Sequence, residues 1–261
     1  MTGLSGLAWQ AAGGLAATLA IAIATWVVSL AKRDASIVDS VWSLLILLAG
    51  GTYAALQPEI AARTTVVLLL VALWAFRLTG YITWRNWGEP EDHRYQAIRK
   101  RNEPNFGFKS LYLVFGLQAV LAWIVSMSLL AVVRAPGPLG WMDAPGIMLV
   151  LFGLLFETIG DWQLAGFKAD PANKGKVMDR GLWRYTRHPN YFGEFCVWWG
   201  VYFIALAAGG WWSIVSPLLM SVLLLKVSGV GLLEKDIGER RPAYREYVAR
   251  TNAFFPGPPK S

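Results

Sequence analysis

The sequence predicts an all-α integral membrane protein with seven transmembrane helices, its N-terminus outside and its C-terminus in the cytoplasm. Three observations carry this. The 261 residues are 55% hydrophobic and only 16% charged, whereas a soluble domain carries about 25% charge. Several apolar runs reach the roughly 20 residues that cross a bilayer as a helix. The basic residues are segregated into alternate connections, as the positive-inside rule requires.

The chain reads as one domain over residues 1–261. The first span, about 7–30, has no basic leading segment and no small-residue cleavage site, so it reads as a spanning helix and not as a cleaved signal. The second and third follow at about 37–56 and 64–84, the fourth at about 110–133 and the fifth at about 145–166. The sixth, about 191–208, opens just after Pro189, and the seventh covers about 211–233. Lys32 and Arg33 follow span one. Arg85, Arg94, Arg99, Lys100, Arg101 and Lys109 follow span three. Lys168, Lys174, Lys176, Arg180, Arg184 and Arg187 follow span five, and Lys235, Arg240, Arg241, Arg245 and Arg250 follow span seven. Of the other connections only Arg63 and Arg134 interrupt the pattern. The net charge of +7 therefore needs no nucleic-acid partner. The single cysteine, Cys196, excludes an intrachain disulfide, and with only His93 and His188 for imidazoles no metal centre is expected.

Ionisable residues inside spans are costly and point to function. Asp39 lies early in span two, and Arg77 and Tyr81 lie one turn apart late in span three. Glu157 and Asp161 are one turn apart late in span five, with Lys168 two turns on. Asn190 and Glu194 share one face at the start of span six, and Lys226 and Glu234 lie late in span seven. All fall in the cytoplasmic half of their spans, while the outer halves are Leu, Val, Ala and Trp. Pairing between helices would explain any one of them, since interhelical hydrogen bonds of about 0.6–2 kcal/mol are ordinary. The whole set beneath two basic loops favours a site open to the cytoplasm for an anionic cofactor, and a greasy outer half argues against a transport path. In "RYTRHPNYFGE" (Arg184 to Glu194), Pro189 suits the first helical position and His188 the N-cap, a geometry that also suits a phosphate or carboxylate. "GVGLLE" (Gly229 to Glu234) follows no strand and is not a dinucleotide fingerprint.

The stretch "KADPANKGKVMDRGLWRYTRHPNYFGEFCVWWG" (Lys168 to Gly200) closely resembles the C-terminal signature of the steroid 5-alpha-reductase superfamily, in particular the bacterial branch known as a domain of unknown function. "DASIVDSVWS", "LWAFRLTGYITWRNWGEPEDHRYQAIRK" and "LLEKDIGERRPAYREYVARTNAFFP" extend the resemblance from about residue 30 to the tail. It implies a seven-helix enzyme in a bacterial inner membrane. NADPH would bind from the cytoplasm and reduce the C=C bond of an enone in a steroid or similar lipid arriving from the bilayer. The resemblance places Glu157, Asp161, Lys168, Arg184, Arg187, His188, Asn190, Tyr191 and Glu194 at the cofactor, with Arg77, Lys226, Glu234, Tyr244 and Tyr247 completing the pocket. Glu157 stands where the family has Asn, and Lys168 where it often has Arg.

The substrate end departs from the pattern. The animal enzymes use a Gln-Glu pair and a Tyr to grip the ketone; here Asp39 is the nearest acid and Trp74 occupies the Tyr position, leaving Tyr81 and Tyr53 as the hydroxyls that could substitute. The main alternative is an S-adenosylmethionine-dependent membrane methyltransferase of the isoprenylcysteine or phospholipid type, which shares an R-H-P-x-Y-x-G loop. Asn190 after the proline and Glu194 four residues later are the reductase-side residues. A non-enzymatic lipid-binding protein would show no cofactor affinity at all.

Overall fold

The computed structural model describes residues 3–227 and 243–260. Among the described residues it is all-helical, with no strand, and five helices there are long and apolar enough to cross a membrane. Two further apolar segments follow, a helix from Pro189 to Ala207 and a shorter one over Trp211–Lys226. The chain forms two compact units, Met1–Gly140 with Ala205–Ser216, and Trp141–Ile204 with Pro217–Ser261.

In the first unit α1 (Leu4–Lys32), α2 (Ile37–Ala55) and α3 (Ala62–Asn86) pack in sequence, α1 on α2 and α2 on α3. Helix α4 (His93–Asn102) lies in the basic connection. Helix α5 (Phe106–Val125) packs on α1 and α2, and α6 (Met127–Val133) on α2 and α3. Gly14 of α1 lets the Tyr53 ring approach so closely that a Cβ there would collide with it. The Tyr53 hydroxyl then reaches Ser126 Oγ at 2.7 Å. The sequence predicts one unbroken span over 110–133, but the helix breaks at Ser126. Hydroxyls take up the carbonyls exposed around the break: Ser126 Oγ donates to Trp123 O at 2.7 Å, and Ser216 Oγ to Val125 O. A buried break is tolerable only when its carbonyls are bonded in this way.

In the second unit α7 (Ala144–Ala169) runs antiparallel to α8 (Pro189–Ala207), the latter passing into the first unit at Ala205. Their contact is a glycine seam. Gly146, Gly153 and Gly160 recur every seven residues and face Gly200, Gly193 and Pro189 in turn. A Cβ on Gly153 would lie 2.5 Å from Gly193 O, and one on Gly200 would lie 2.7 Å from Gly146 O. Backbones this close gain dispersion contacts, one of the drives that small residues provide where lipid removes the hydrophobic one. The unit also holds α9 (Val215–Val222) from Pro217 onward and α10 (Ala243–Arg250).

Candidate functional site

The glycine seam sets ionisable side chains at the start of α8. Glu157 lies so close to α8 that a Cβ on Gly193 would sit 2.6 Å from Glu157 Cβ, and one on Gly160 would sit 3.3 Å from Asn190 N. Glu157 and Asp161 are 1% and 3% exposed, and Glu194 is 8% exposed. Carboxylates removed from water this far are kept only where partners or a ligand offset their desolvation. His188 is buried and its ring stacks on Tyr191 at 5.6 Å, 6° from parallel. Asn190 is half-buried beside them. Among the described residues no group of three or more His, Cys, Asp and Glu has an arrangement that could hold a metal ion.

The preceding loop is fixed by the tail. Arg187 Nη1 donates to Thr251 O at 2.6 Å and to Val248 O at 3.2 Å, capping the last turn of α10. Its backbone N–H donates to Asn252 O at 2.9 Å, and Thr186 Oγ1 to Phe254 O at 2.8 Å. Trp183 Nε1 donates to Gly160 O at 2.9 Å, and the buried Tyr247 hydroxyl donates to Trp183 O. Gln163 Oε1 accepts from Leu182 N at 3.0 Å. Tyr247 thus supports the loop through Trp183, and Tyr244 packs on it with ring centroids 5.5 Å apart. Lys168, Arg184 and Lys226 are exposed. Glu234 lies outside the described residues. Helix α8 begins at Pro189, as the sequence predicts.

The residues expected at the substrate end all lie in the first unit. Asp39 Oδ2 accepts from Arg94 Nη2 at 2.8 Å and Oδ1 accepts from the Tyr95 hydroxyl at 2.5 Å. Arg94 also bonds the Asp92 carboxylate, which caps α4 through Arg94 N at 2.9 Å. Burial opposes the Arg94 charge, but the bond to Asp92 and the charge of Asp39 outweigh it and raise the pKa. Burial and then the Asp39 charge push the Tyr95 hydroxyl well above its usual value. Beside this, Glu91 accepts from Ala35 N at 2.8 Å and from Arg99 at 2.7 and 2.9 Å. Burial would raise its pKa, but the bonds from Arg99 and Ala35 hold it below the usual carboxylate value. Tyr81 is half-buried, with Arg77 and Arg85 at 5.7 and 5.8 Å from its ring centroid. Tyr53 and Trp74 are fully buried.

Sequence reasoning missed the α4 clamp of Glu91, Asp92, Arg94, Tyr95 and Arg99. An acid before a charged helical segment ("EDHRYQAIRK") was the available signal for its cap. The glycine seam was also missed, although its seven-residue spacing is plain in the sequence.

The family model described as "Protein of unknown function (DUF1295)" matches residues 25–251. An uncharacterised protein of Schizosaccharomyces pombe is 27% identical over 278 aligned residues, covering 93% of this chain and 78% of that protein. A probable O-methyltransferase of Ustilaginoidea virens is 39% identical over 67 residues, 26% of this chain and 22% of that protein. No solved structure matches. The chain belongs to the DUF1295 family.

Proposed function

We propose, with that membership as premise, that the chain is a membrane enzyme that uses NADPH to reduce the C=C bond of an enone in a steroid or another apolar lipid. The observation that carries this is the buried group of Glu157, Asp161, His188 and Glu194 at the start of α8, next to the exposed cations Lys168 and Arg184. Buried acceptors suit the hydroxyl and amide donors of a dinucleotide, and cations at the rim suit its phosphates. Asn190 and Glu194 stand where the resemblance to the reductase superfamily puts cofactor contacts. In this reading Glu157, Asp161, Asn190 and Glu194 hold sugar and amide groups. Arg184 and Lys168 neutralise phosphate. Arg187, bonded to the tail, keeps the loop in place. The cofactor supplies the hydride. Seven spans, an external N-terminus and a bacterial inner membrane belong to the same proposal.

The protein must also polarise the substrate carbonyl. We propose Tyr81, Tyr53 or Asp39 for this role, each of which has partners in the structure. The Tyr53 hydroxyl is bound to Ser126 in a fully buried place, and both Asp39 oxygens accept bonds from Arg94 and Tyr95.

A second reading is favoured by the methyltransferase-named relative: S-adenosylmethionine at the same α8 start, serving methyl transfer. Thermal shift of the purified protein with NADPH, NADH and S-adenosylmethionine separates the two, since a ligand of the folded state raises the melting temperature. NADPH should raise it, Asn190→Ala and Glu194→Gln should abolish the rise, and a 4-ene-3-keto steroid should be consumed with NADPH oxidation. A rise with S-adenosylmethionine alone replaces the reductase with the methyltransferase.

A further inference from the structure

The first unit carries a groove that neither reading uses. A cavity of about 750 Å³ opens where α1, α2 and the loop after α3 meet, with Lys32, Arg33, Asp34, Trp87 and Glu89 at its mouth. Ile21 and Val41 also line an adjoining cavity of about 690 Å³, whose other walls include Leu44, Leu48, Leu68 and Leu69. On the other side, Asp34 and Glu89 of the mouth also line a recess of about 310 Å³, with Glu91, Asp92 and His93 around it, Glu91 paired with Arg99 and Asp92 with Arg94. The order is therefore an acidic recess, a mouth of mixed charge where Lys32 and Arg33 stand beside Asp34 and Glu89, and an apolar trough. Along α2 the trough runs from Ile37 to Gly51, about 20 Å at the helical rise. That exceeds the depth of one leaflet, about half of a 30 Å hydrocarbon core.

The mouth is built. Lys32, Arg33 and Glu89 are exposed, and their side chains make no hydrogen bond or ion pair among the described residues. The backbone beneath them is held firmly. Ser36 bonds Asp34 Oδ1 through its N–H at 2.8 Å and its hydroxyl at 2.6 Å, Ala35 N bonds Glu91, and Arg99 bonds Arg33 O at 3.2 Å. Trp87, 78% exposed, stands at the rim as an interfacial anchor would.

We propose that this groove binds one zwitterionic glycerophospholipid with a primary ammonium head. Lys32 and Arg33 take the phosphate. Glu89 and Asp34 take the ammonium in the acidic recess. One acyl chain lies along Val41, Leu44 and Leu48. Charge complementarity chooses the occupant: an anionic head would place negative charge against the recess, and an uncharged sterol would leave both cations and the acid without use. The site is independent of the reaction proposed above.

The test is lipid binding to the full chain, delipidated in maltoside and followed by native mass spectrometry and by melting temperature. The probes are dioleoyl phosphatidylethanolamine, phosphatidylcholine and phosphatidylglycerol. Phosphatidylethanolamine should bind tightest. Glu89→Gln should bring its affinity down to that of phosphatidylcholine. Lys32→Gln with Arg33→Gln should weaken all three about fivefold or more. Val41→Trp should block retention by filling the trough, and should it fail to fold, the exposed charge variants decide alone. Three lipids bound alike and unaffected by any variant would reduce the groove to ordinary annular lipid. Preference for phosphatidylglycerol would overturn the head assignment. Displacement of the phospholipid by a 4-ene-3-keto steroid would give the groove to substrate instead.

Discussion

The two units use buried charge differently. In the first, Asp39 and the acids of the α4 clamp are each bonded to a cation, and Glu91 also to a backbone N–H: Asp39 to Arg94, Glu91 to Arg99 and Ala35, Asp92 to Arg94. In the second, Glu157, Asp161 and Glu194 sit on a helix pair whose frame is glycine backbone. Arg187 in the preceding loop bonds two main-chain carbonyls of the tail through Nη1. One arrangement ties loops together with side chains. The other uses backbone contacts to hold a face of acids in place. An ionisable residue near a span end therefore says little by itself; the frame around it has to be read from the fold.

The largest expected effect breaks the second frame. Gly193→Ala would put a methyl 2.6 Å from Glu157 N and 2.6 Å from Gly153 O, both backbone atoms that cannot rotate away. We expect a loss exceeding the roughly 1–3 kcal/mol of ordinary overpacking. It should show as a lowered melting temperature and a vanished NADPH response. Gly51→Ala in α2, where nothing lies within 4 Å, should leave both intact and serves as the control.

Next comes Arg187→Gln. It leaves the buried Thr251 carbonyl and the part-buried Val248 carbonyl without their charged donor, a loss of about 1–3 kcal/mol. The expected readout is faster proteolysis within residues 251–260 than in the wild type, together with a weakened cofactor response. Tail cleavage unchanged from wild type would mean that Arg187 does not hold the tail, and would return it to the cofactor.

The difference between the units also explains what the sequence could and could not reveal. Apolar length and charge alternation announced the five long helices, because composition alone decides whether a segment can cross lipid. Pro189 announced the start of α8 through its fixed φ and missing N–H. The Asp39 partners were invisible, because Arg94 and Tyr95 lie 55 and 56 residues away and only the folded loops bring them in. Asp39 was legible as a buried acid and illegible as a tie. The break at Ser126 was hidden for a similar reason: Ser126, Met127 and Ser128 tolerate a helix, and it is Tyr53 and Ser216 from elsewhere that bond there.

A smaller effect probes the first unit by pH. Glu91 has a folded pKa below its ordinary 4.5, so the unfolded chain binds its proton more readily than the folded one. Its contribution is full above about pH 4.5 and is lost as pH falls through the folded value. Melting temperature measured downward from pH 6 should drop for the wild type below about pH 4.5. Glu91→Gln should start lower and show a shallower fall. Parallel curves would place the acid sensitivity in other carboxylates.

The smallest effect sharpens the cofactor side. Arg184 is exposed, so its interaction with a phosphate is screened by water and salt. Arg184→Gln should weaken NADPH binding only about fivefold at low ionic strength and less as salt is added. NADH, lacking the third phosphate, should be affected less than NADPH if Arg184 faces that group, and equally if it faces the pyrophosphate. The ratio of the two losses therefore locates the cation on the cofactor. A variant that binds both nucleotides as the wild type does at every salt concentration would leave Arg184 with a role in membrane orientation alone.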